Sequence, residues 1–376
     1  MKNETMNVPL FNPEISKADK KVILDSLQSS ILSGGPNLKK FERLFAKYMG
    51  TKFAIGVSSA TAALHLSLLS QGIGKGDEVI IPDFTFVATA NAVALTGAKA
   101  ICADIDSTLN ISIKDIERKI TKKTKAVIVV HFSGVPCKMN EIKKIVKKYN
   151  LKLIEDCAHA IGAKVDKKFV GTFGDTGCYS FFATKNMTTI EGGMITTNSK
   201  AIANKVNSLR AHGITKSVSQ RYGSKHPWDY DVNEPGYNFK LDEIRSSLGI
   251  SQLSRLGKII KKRQKIARYY DQKLKNVKGI EISNLNDKNH VYHLYIIKIT
   301  DEFRMSRNAV HEQLKNEGIQ TTVHYRPIHE FSLFKKNKAE EFPNTTKAFA
   351  ECLSIPFFVT ITKKQQNYVI RKIKDL

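Results

Sequence analysis

Short apolar runs alternate with segments of helical periodicity through the first half of the chain. The runs lie at residues 53–57, 76–82, 98–103 and 125–131, the second of them beginning with a turn. Each is short and nearly continuous in its apolar residues, as expected for strands that are buried on both faces of a sheet. Strands that alternate with helices predict an α/β fold with a mostly parallel central sheet.

Two further runs lie in the stretch 151–197, around which the rest of the chain is organised. Residues 151–154 end in Glu155 and Asp156, and residues 178–182 are followed closely by Lys185. Glycines then break the chain at 192–193, and residues 194–197 predict another strand, paired back against its neighbour. Because open α/β sheets bind ligands at the carboxyl ends of their strands, we expect Asp156 and Lys185 at a ligand site.

An acid and an amine at neighbouring strand ends suit pyridoxal 5′-phosphate (PLP). A lysine binds this cofactor covalently through an imine, and a carboxylate keeps its pyridine nitrogen protonated so that the ring can accept electrons. Each residue also has an ordinary structural interpretation. Asp156 suits a helix cap, and Lys185 suits a solvated turn. From the spacing alone, both interpretations stay open.

Helical patterns frame this sheet. Residues 16–50 predict two helices separated by a turn at 33–36, and the first helix begins with a capping box at Ser16 and Asp19. A long helical pattern runs from residue 241 to about residue 270. We place a domain boundary within it, giving a large domain at 1–249 and a smaller α+β domain at 250–376, with strands expected at 292–297 and 318–325.

Charge and composition narrow the function classes. The net charge is +25, but the lysines are spread along amphipathic helix faces and no nucleic-acid-binding motif is present, so we expect neither a nucleic-acid nor a membrane partner. No apolar run reaches the length of a bilayer span and the first residues lack a signal-peptide core, which predicts a cytoplasmic protein.

No metal site is expected either. The five cysteines are scattered without a C-x-x-C pair, so they indicate neither a zinc site nor a disulfide framework. Asp104 and Asp106 follow a strand and raise the possibility of a metal, but no histidine or third acid is close in sequence. We therefore expect both to be solvated loop residues.

Four motifs resemble one known family. The segments EDCAHAIGA, YSFFATKNMTTIEGGMITT, RAHG and HYRPIH are similar to those of the DegT/DnrJ/StrS family of PLP-dependent nucleotide-sugar aminotransferases. The resemblance implies the PLP-dependent transferase type I, aspartate aminotransferase-like fold, with Lys185 as the cofactor lysine and Asp156 as the acid. A dehydratase branch of the family has histidine in place of this lysine, so Lys185 places the chain among the aminotransferases.

The resemblance also implies the remaining cofactor contacts. Residues 58–61 lead from a strand into a helix N-terminus, where free amides favour a phosphate, although a plain N-cap is the alternative. The cofactor contacts implied are Ser59, Ala60, Thr61, Phe86, His159, Ser180 and Asn238, in addition to Asp156 and Lys185. Phe86 would stack on the pyridoxal ring, whereas Phe84 is expected in the core.

Asn238 matches an asparagine that reaches the phosphate in the partner subunit, which implies a homodimer with shared active sites. Lys240 stands where the family has an arginine, and lysine keeps the charge but lacks the planar guanidinium that makes bidentate contacts.

Substrate contacts are expected in the loops around the site. The residues are Gly34, His212, Trp228, His324, Tyr325 and His329; Trp228 lies in a long polar loop, and the last three match the family's histidine-tyrosine-x-proline segment. The implied reaction converts a UDP- or dTDP-linked 4-keto-6-deoxy sugar into the 4-amino-4,6-dideoxy sugar, with L-glutamate as donor. A 3-aminotransferase, another PLP enzyme of the same fold, and a nucleic-acid-binding regulatory protein suggested by charge alone are the alternatives.

Overall fold

A seven-stranded sheet lies at the centre of the computed structural model, which describes residues 6–214, 216, 225–283, 287–335 and 339–376. The strand order is β1-β9-β8-β5-β4-β2-β3, and β9 runs antiparallel to both of its neighbours while the other pairs are parallel. The seven strands are β1 (Phe53–Val57), β2 (Glu78–Pro82), β3 (Lys99–Ala103), β4 (Thr124–Val130), β5 (Lys152–Asp156), β8 (Thr176–Ser180) and β9 (Gly193–Thr197). The predicted mostly parallel sheet, with residues 194–197 paired back against their neighbour, is confirmed.

Helices cover both faces of this sheet. They are α1 (Lys17–Leu27), α2 (Pro36–Met49), α3 (Ala60–Leu69), α4 (Ala88–Ala94), α5 (Ile113–Lys119), α6 (Met139–Lys148), α7 (Lys200–Leu209), α8 (Glu243–Leu274), α9 (Arg307–Asn316), α10 (Pro343–Glu351) and α11 (Lys363–Asp375). Alternate residues of β4 serve the two faces: Ile128 packs in the cluster that contains α3, α4 and α7, whereas Val127 and Val129 pack with α6. Burial on both faces explains why these strands read as continuous apolar runs.

The first two helices follow from local sequence. Ser16 and Asp19 form the predicted capping box, in which each side chain accepts the other residue's backbone N–H. Pro36 begins α2, where its missing N–H costs nothing, and Gly50 ends it with φ 72°, a left-handed conformation that glycine adopts without strain. The two predicted helices in 16–50 are confirmed.

A second, three-stranded antiparallel sheet lies in the C-terminal part of the chain. Its order is β10-β11-β12, and a separate hairpin joins β6 and β7; the strands are β6 (Lys164–Val165), β7 (Lys168–Phe169), β10 (Ile280–Ile282), β11 (Ile296–Ile299) and β12 (Cys352–Ser354). Val8 is fully buried in the core beside this sheet, and its backbone bonds to Gly318 and Gln320. The N-terminal segment therefore packs with the C-terminal unit, while the proposed boundary near residue 250 falls inside α8.

The predicted strands at 292–297 and 318–325 are wrong in extent. Only residues 296–299 form β11, and the second range contributes isolated bridges at Ile319 and Thr322. Tyr292 has φ 49°, and the N–H groups of His293 and Leu294 donate to the Ser133 carbonyl. This segment therefore bonds to the loop that contains Ser133 instead of to a neighbouring strand. Apolar alternation cannot distinguish such a segment from a strand.

Asp104 also differs from its expectation as a solvated loop residue. Its side chain is buried and accepts the backbone N–H groups of Asn344 and Thr345, at 3.1 and 2.9 Å, in the first turn of α10. Because first-turn N–H groups have no partner within a helix, this carboxylate satisfies them from a distant part of the chain. Within the described ranges, no helix combines the length and apolar character that a bilayer span requires.

Candidate active site

A cavity of about 320 Å³ opens at the carboxyl ends of β5 and β8. Parallel pairing of these strands sets Asp156, the last residue of β5, opposite Cys178, and Ser180 ends β8 beside it. The cavity brings together most of the predicted cofactor residues and one predicted substrate residue: Ser59, Ala60, Thr61, Phe86, Asp156, His159, Ser180, Lys185 and Tyr325.

Asp156 presents a buried carboxylate to this cavity. One oxygen accepts the Ala158 N–H at 3.0 Å and the other accepts the Thr89 hydroxyl at 3.2 Å. Burial raises the pKa of Asp156, although these hydrogen bonds and the charge of Lys185 oppose the rise. A carboxylate that is buried at such cost is stabilised by any cationic N–H placed against it.

Lys185 extends from the loop after β8 toward the same space. Removal of its ammonium from bulk water lowers the pKa of Lys185 to about 8, with Asp156 opposing the shift. Its Nζ lies 3.4 Å from Nε2 of His293. An amine with this pKa supplies a substantial neutral, nucleophilic fraction near neutral pH, which an ordinary lysine does not.

The N-terminus of α3 forms an anion cup at one end of the cavity. Ser59 is the N-cap, and its hydroxyl accepts the Ala62 N–H at 3.1 Å, whereas the preceding N–H groups of Ala60 and Thr61 have no partner within the helix. Behind the cup lies Gly193, where a Cβ atom would stand 2.5 Å from the Ser59 carbonyl carbon and 2.8 Å from the Ala60 nitrogen. Only glycine lets β9 approach the cup this closely.

Aromatic side chains form another part of the cavity wall. Phe86 is 53% exposed and its ring centroid lies 5.3 Å from that of Tyr325, whereas Phe84 is fully buried in the core, as expected. Nδ1 of His159 accepts the Ser133 N–H at 3.2 Å, and burial and Lys185 hold the pKa of His159 well below its ordinary value. The neutral imidazole therefore carries its proton on Nε2 and donates it to the Tyr325 hydroxyl, 3.1 Å away, so that the tyrosine hydrogen can be donated to a ligand.

Six predicted residues do not line this cavity, and four of them lie on its surrounding turns and loops. Gly34 is in the turn before α2 with φ 72°, and His212 is exposed just after α7 with φ 66°. Trp228 is 75% exposed beside His226. Asn238 is exposed and its backbone pairs with Ala211, next to the strand that leads into the anion cup. Parts of the long polar loop, residues 215 and 217–224, fall outside the described residues.

The two remaining predicted histidines have different surroundings. His324 lines a smaller cavity of about 110 Å³ that shares Lys185 and Tyr325 with the main one, and its Nδ1 lies 2.8 Å from the Ser354 hydroxyl. His329 is buried, with Nδ1 2.6 Å from an Asp83 oxygen and its ring stacked on Phe342. The structure thus brings His324 to the site and engages His329 in a buried pair beside it.

Residues of the site that were not predicted from sequence include Thr89, Glu191 and His293. Thr89 bonds to Asp156, Glu191 lines the cavity, and His293 faces Lys185. Glu191 stands in the glycine-rich break that was used only to delimit strands. His293 lies within the strand predicted at 292–297, where a lone histidine carries no signal of its own.

His131, Glu155 and Cys157 lie close enough for their ligand atoms to hold a metal. Each polar side chain of this buried group is already engaged. His131 accepts the Cys137 N–H at 3.0 Å and faces Glu155 at 3.2 Å, while Glu155 accepts backbone N–H groups at 171, 173 and 174. These contacts fix the glycine-containing loop between β7 and β8.

Comparison with known proteins identifies the family. The model of the DegT/DnrJ/EryC1/StrS aminotransferase family matches residues 13–374. The chain belongs to this family. Its members are PLP-dependent aminotransferases, and this chain is a sugar aminotransferase with the type I fold that the motifs implied.

Relatives and solved structures agree over nearly the whole chain. GDP-perosamine synthase of Escherichia coli O157:H7 is 34% identical, with 98% of each chain covered. UDP-4-amino-4,6-dideoxy-N-acetyl-beta-L-altrosamine transaminase of Campylobacter jejuni is 36% identical, with 94% of this chain and 93% of the relative covered. The structure of Helicobacter pylori PseC, an aminotransferase involved in the biosynthesis of pseudoaminic acid, superposes with a TM-score of 0.91 at 28% identity and covers 98% of this chain and 99% of its own.

The cavity of this family member has the features that PLP requires. An amine and a buried carboxylate face the same space, and a helix N-terminus supplies an anion cup. The phosphate, the aldehyde and the ring nitrogen of the cofactor each have a chemically matched group in this set.

Proposed function

We propose that the protein binds PLP and transfers an amino group from L-glutamate to C4 of a nucleotide-linked 4-keto-6-deoxy sugar. The product would be the 4-amino-4,6-dideoxy sugar, carried on UDP or dTDP. The observation that carries the proposal is the meeting of Lys185, Asp156 and the α3 N-terminus around one cavity in a sugar aminotransferase. The name of the Campylobacter jejuni relative, with its 4-amino-4,6-dideoxy sugar, favours C4 over C3.

Each residue would have a defined role. Ser59, Ala60, Thr61 and Ser180 bind the phosphate, and Phe86 packs on the ring and excludes water. Asp156 holds a proton on the ring nitrogen. When bound, the cofactor accepts the amino group from the donor and passes it to the keto carbon. Lys185, once its amine is free, removes the proton from the donor's α-carbon and later returns a proton to C4 of the sugar.

The surroundings of the site would bind the two substrates. Tyr325 offers its hydroxyl hydrogen to the ligand, because His159 already donates to its oxygen. His324 lines the adjoining cavity, and Gly34, His212 and Trp228 stay predicted contacts of the nucleotide sugar. A protein of net charge +25 attracts a substrate that carries two phosphate groups, which favours its capture from solution.

We further propose a homodimer in which Asn238 of each chain reaches the phosphate bound by the other. Its exposed position outside its own cavity supports this assignment. Mixing Asn238→Ala chains with Lys185→Ala chains tests it. Mixed dimers would contain one intact site and recover activity that neither variant has alone. Absence of recovery, despite demonstrated subunit exchange, would contradict a shared site.

Product analysis tests the reaction itself. The enzyme, with PLP and ¹⁵N-labelled glutamate, is given 4-keto-6-deoxy sugars linked to UDP, dTDP and GDP and, in parallel, their 3-keto-6-deoxy isomers, and NMR locates the new C–N bond. We expect nitrogen at C4, and none in the Lys185→Ala variant, whereas Lys143→Ala on the exposed face of α6 should match the wild type. Nitrogen at C3 would make the protein a 3-aminotransferase, and a failure with every keto sugar would contradict the proposed acceptor class.

A further inference from the structure

His293 is a buried histidine whose function the proposed chemistry has not used. Its side chain is 5% exposed, and Nε2 lies 3.4 Å from Nζ of Lys185. The Lys185 amine is the reacting atom of the proposed function. A ring nitrogen within hydrogen-bonding reach of that atom therefore affects where the amine points.

Neighbouring residues hold both the backbone and the ring of His293. Its backbone N–H donates to the Ser133 carbonyl at 2.8 Å, and its carbonyl accepts Nη2 of the buried Arg263 at 2.8 Å. Its ring packs against His159, with centroids 4.3 Å apart. The two hydrogen bonds fix the backbone and the packing restricts the ring before any ligand enters, as a residue that orients a reacting group requires.

The hydrogen bonding of this ring differs from that of the neighbouring buried histidines. Nδ1 of His131, His159 and His290 each accepts a backbone N–H. Nδ1 of His293 is buried and has no hydrogen-bond partner among the described residues. An unpaired buried nitrogen costs free energy. The hydrogen-bonding contact that the ring does make is the one between Nε2 and Nζ of Lys185.

The charge state of His293 suits an acceptor. Burial, the nearby Lys185 and His159, and the guanidinium of Arg263 hold its pKa well below the ordinary value. The ring is therefore neutral near pH 7 and has one lone pair. Since both the ammonium and the amine form of Lys185 carry N–H groups, Nε2 can accept from Lys185 in either state.

We propose that His293 is the positioning residue of Lys185: by accepting one N–H of the neutral amine it directs the single lone pair of that amine into the 320 Å³ cavity. The inference rests on the proposed function, in which that lone pair attacks an aldehyde carbon. In this condensation the neutral amine nitrogen attacks the aldehyde carbon and forms a C=N bond, and the aldehyde oxygen leaves as water with the two protons that the amine nitrogen gives up. A misdirected amine slows this bond formation without removing the cofactor's other contacts.

Cofactor loading separates this role from a structural one. Wild type, His293→Phe, His293→Gln and the control His290→Gln are incubated with PLP across about pH 7 to 9. Total bound PLP is measured after gel filtration. The rate of covalent linkage is measured by borohydride quenching and mass analysis of the Lys185 peptide. Thermal midpoints report folding. His290 is a matched control because it is buried in the same segment but stacks on Tyr292.

We expect His293→Phe to bind PLP but to link it about tenfold more slowly, the effect of losing one hydrogen bond to a charged or reacting group. His293→Gln should recover most of the rate because its amide oxygen accepts an N–H, and His290→Gln should keep the wild-type rate. Wild-type linkage in His293→Phe, or no recovery in a folded His293→Gln, would overturn the inference alone. A wild type that never links PLP would overturn the proposed function and this inference together.

Discussion

Two regions line the candidate active site, and they are built differently. At the carboxyl ends of β5 and β8, regular strands carry Asp156 and Ser180 to one edge, with Lys185 just beyond. In the segment 290–329, irregular backbone on either side of β11 and α9 carries His293, His324 and Tyr325 to the smaller cavity that adjoins the main one. Positions on paired strands follow from strand periodicity, whereas those in the second region depend on contacts with residues distant in sequence.

The largest expected effect lies in the strand-edge region. Asp156→Asn should bind PLP yet lower turnover by about 10²–10⁴-fold, because a neutral amide no longer favours the protonated ring nitrogen. Asp104→Asn is the matched control, since this buried carboxylate also follows a strand but caps α10. It should lower the thermal midpoint and leave turnover per folded site unchanged. Equal turnover in Asp156→Asn and wild type would remove the distinction between the two acids.

A smaller effect is expected at the anion cup. Gly193→Ala would place its Cβ 2.5 Å from the carbonyl carbon of Ser59, and backbone atoms cannot yield as a flexible side chain does. Overpacking of this kind costs about 1–3 kcal/mol, so we expect PLP affinity to fall about tenfold by equilibrium titration. The control Gly257→Ala, in α8 with no atom within 4 Å of the new Cβ, should instead stabilise the protein by about 0.5–1 kcal/mol. Unchanged PLP affinity in Gly193→Ala would show that the cup does not hold the phosphate.

The smallest effect concerns the second region and depends on pH. The hydrogen bond to Asp83 raises the pKa of His329, against the opposing effect of burial. A raised pKa in the folded state stabilises the protein fully below the unfolded value, about 6.5, and this stabilisation is lost as pH rises through the folded pKa. In urea titrations, the free energy of unfolding of the wild type should therefore exceed that of His329→Gln by about 1–3 kcal/mol at about pH 5.5. The difference should be smaller at about pH 9. A gap that is constant with pH would contradict a charged His329–Asp83 pair.

Much of the first region could be predicted from sequence. Apolar runs gave the strands of the central sheet, and an acid and a lysine after two of them indicated one edge and one chemistry. The residues Thr89 and Gly193 escaped prediction as site components because hydroxyl donors and close backbone approaches leave no periodic signal. Their roles depend on the distances to Asp156 and Ser59, which only the packed structure determines.

The second region shows why the remainder could not be predicted. Residues 292–295 alternate like a strand, but two of their N–H groups bond to Ser133 instead of to a neighbouring strand. This exchange turns His293 toward Lys185. Asp104 was misassigned for the same reason, because its partners on α10 are about 240 positions away in the chain. Local pattern specifies which residues are buried, and tertiary contacts decide what a buried polar group does.

The visible absorption spectrum of the purified protein with PLP, before and after excess L-glutamate, tests the central claim most directly. We expect an absorption band of the lysine-linked cofactor that disappears with glutamate, and no such band in Lys185→Ala. Return of the band on addition of a nucleotide-linked 4-keto sugar would complete the cycle. A protein that shows no band at saturating PLP, or a Lys185→Ala variant that shows the wild-type band and response, would contradict the assignment of this site.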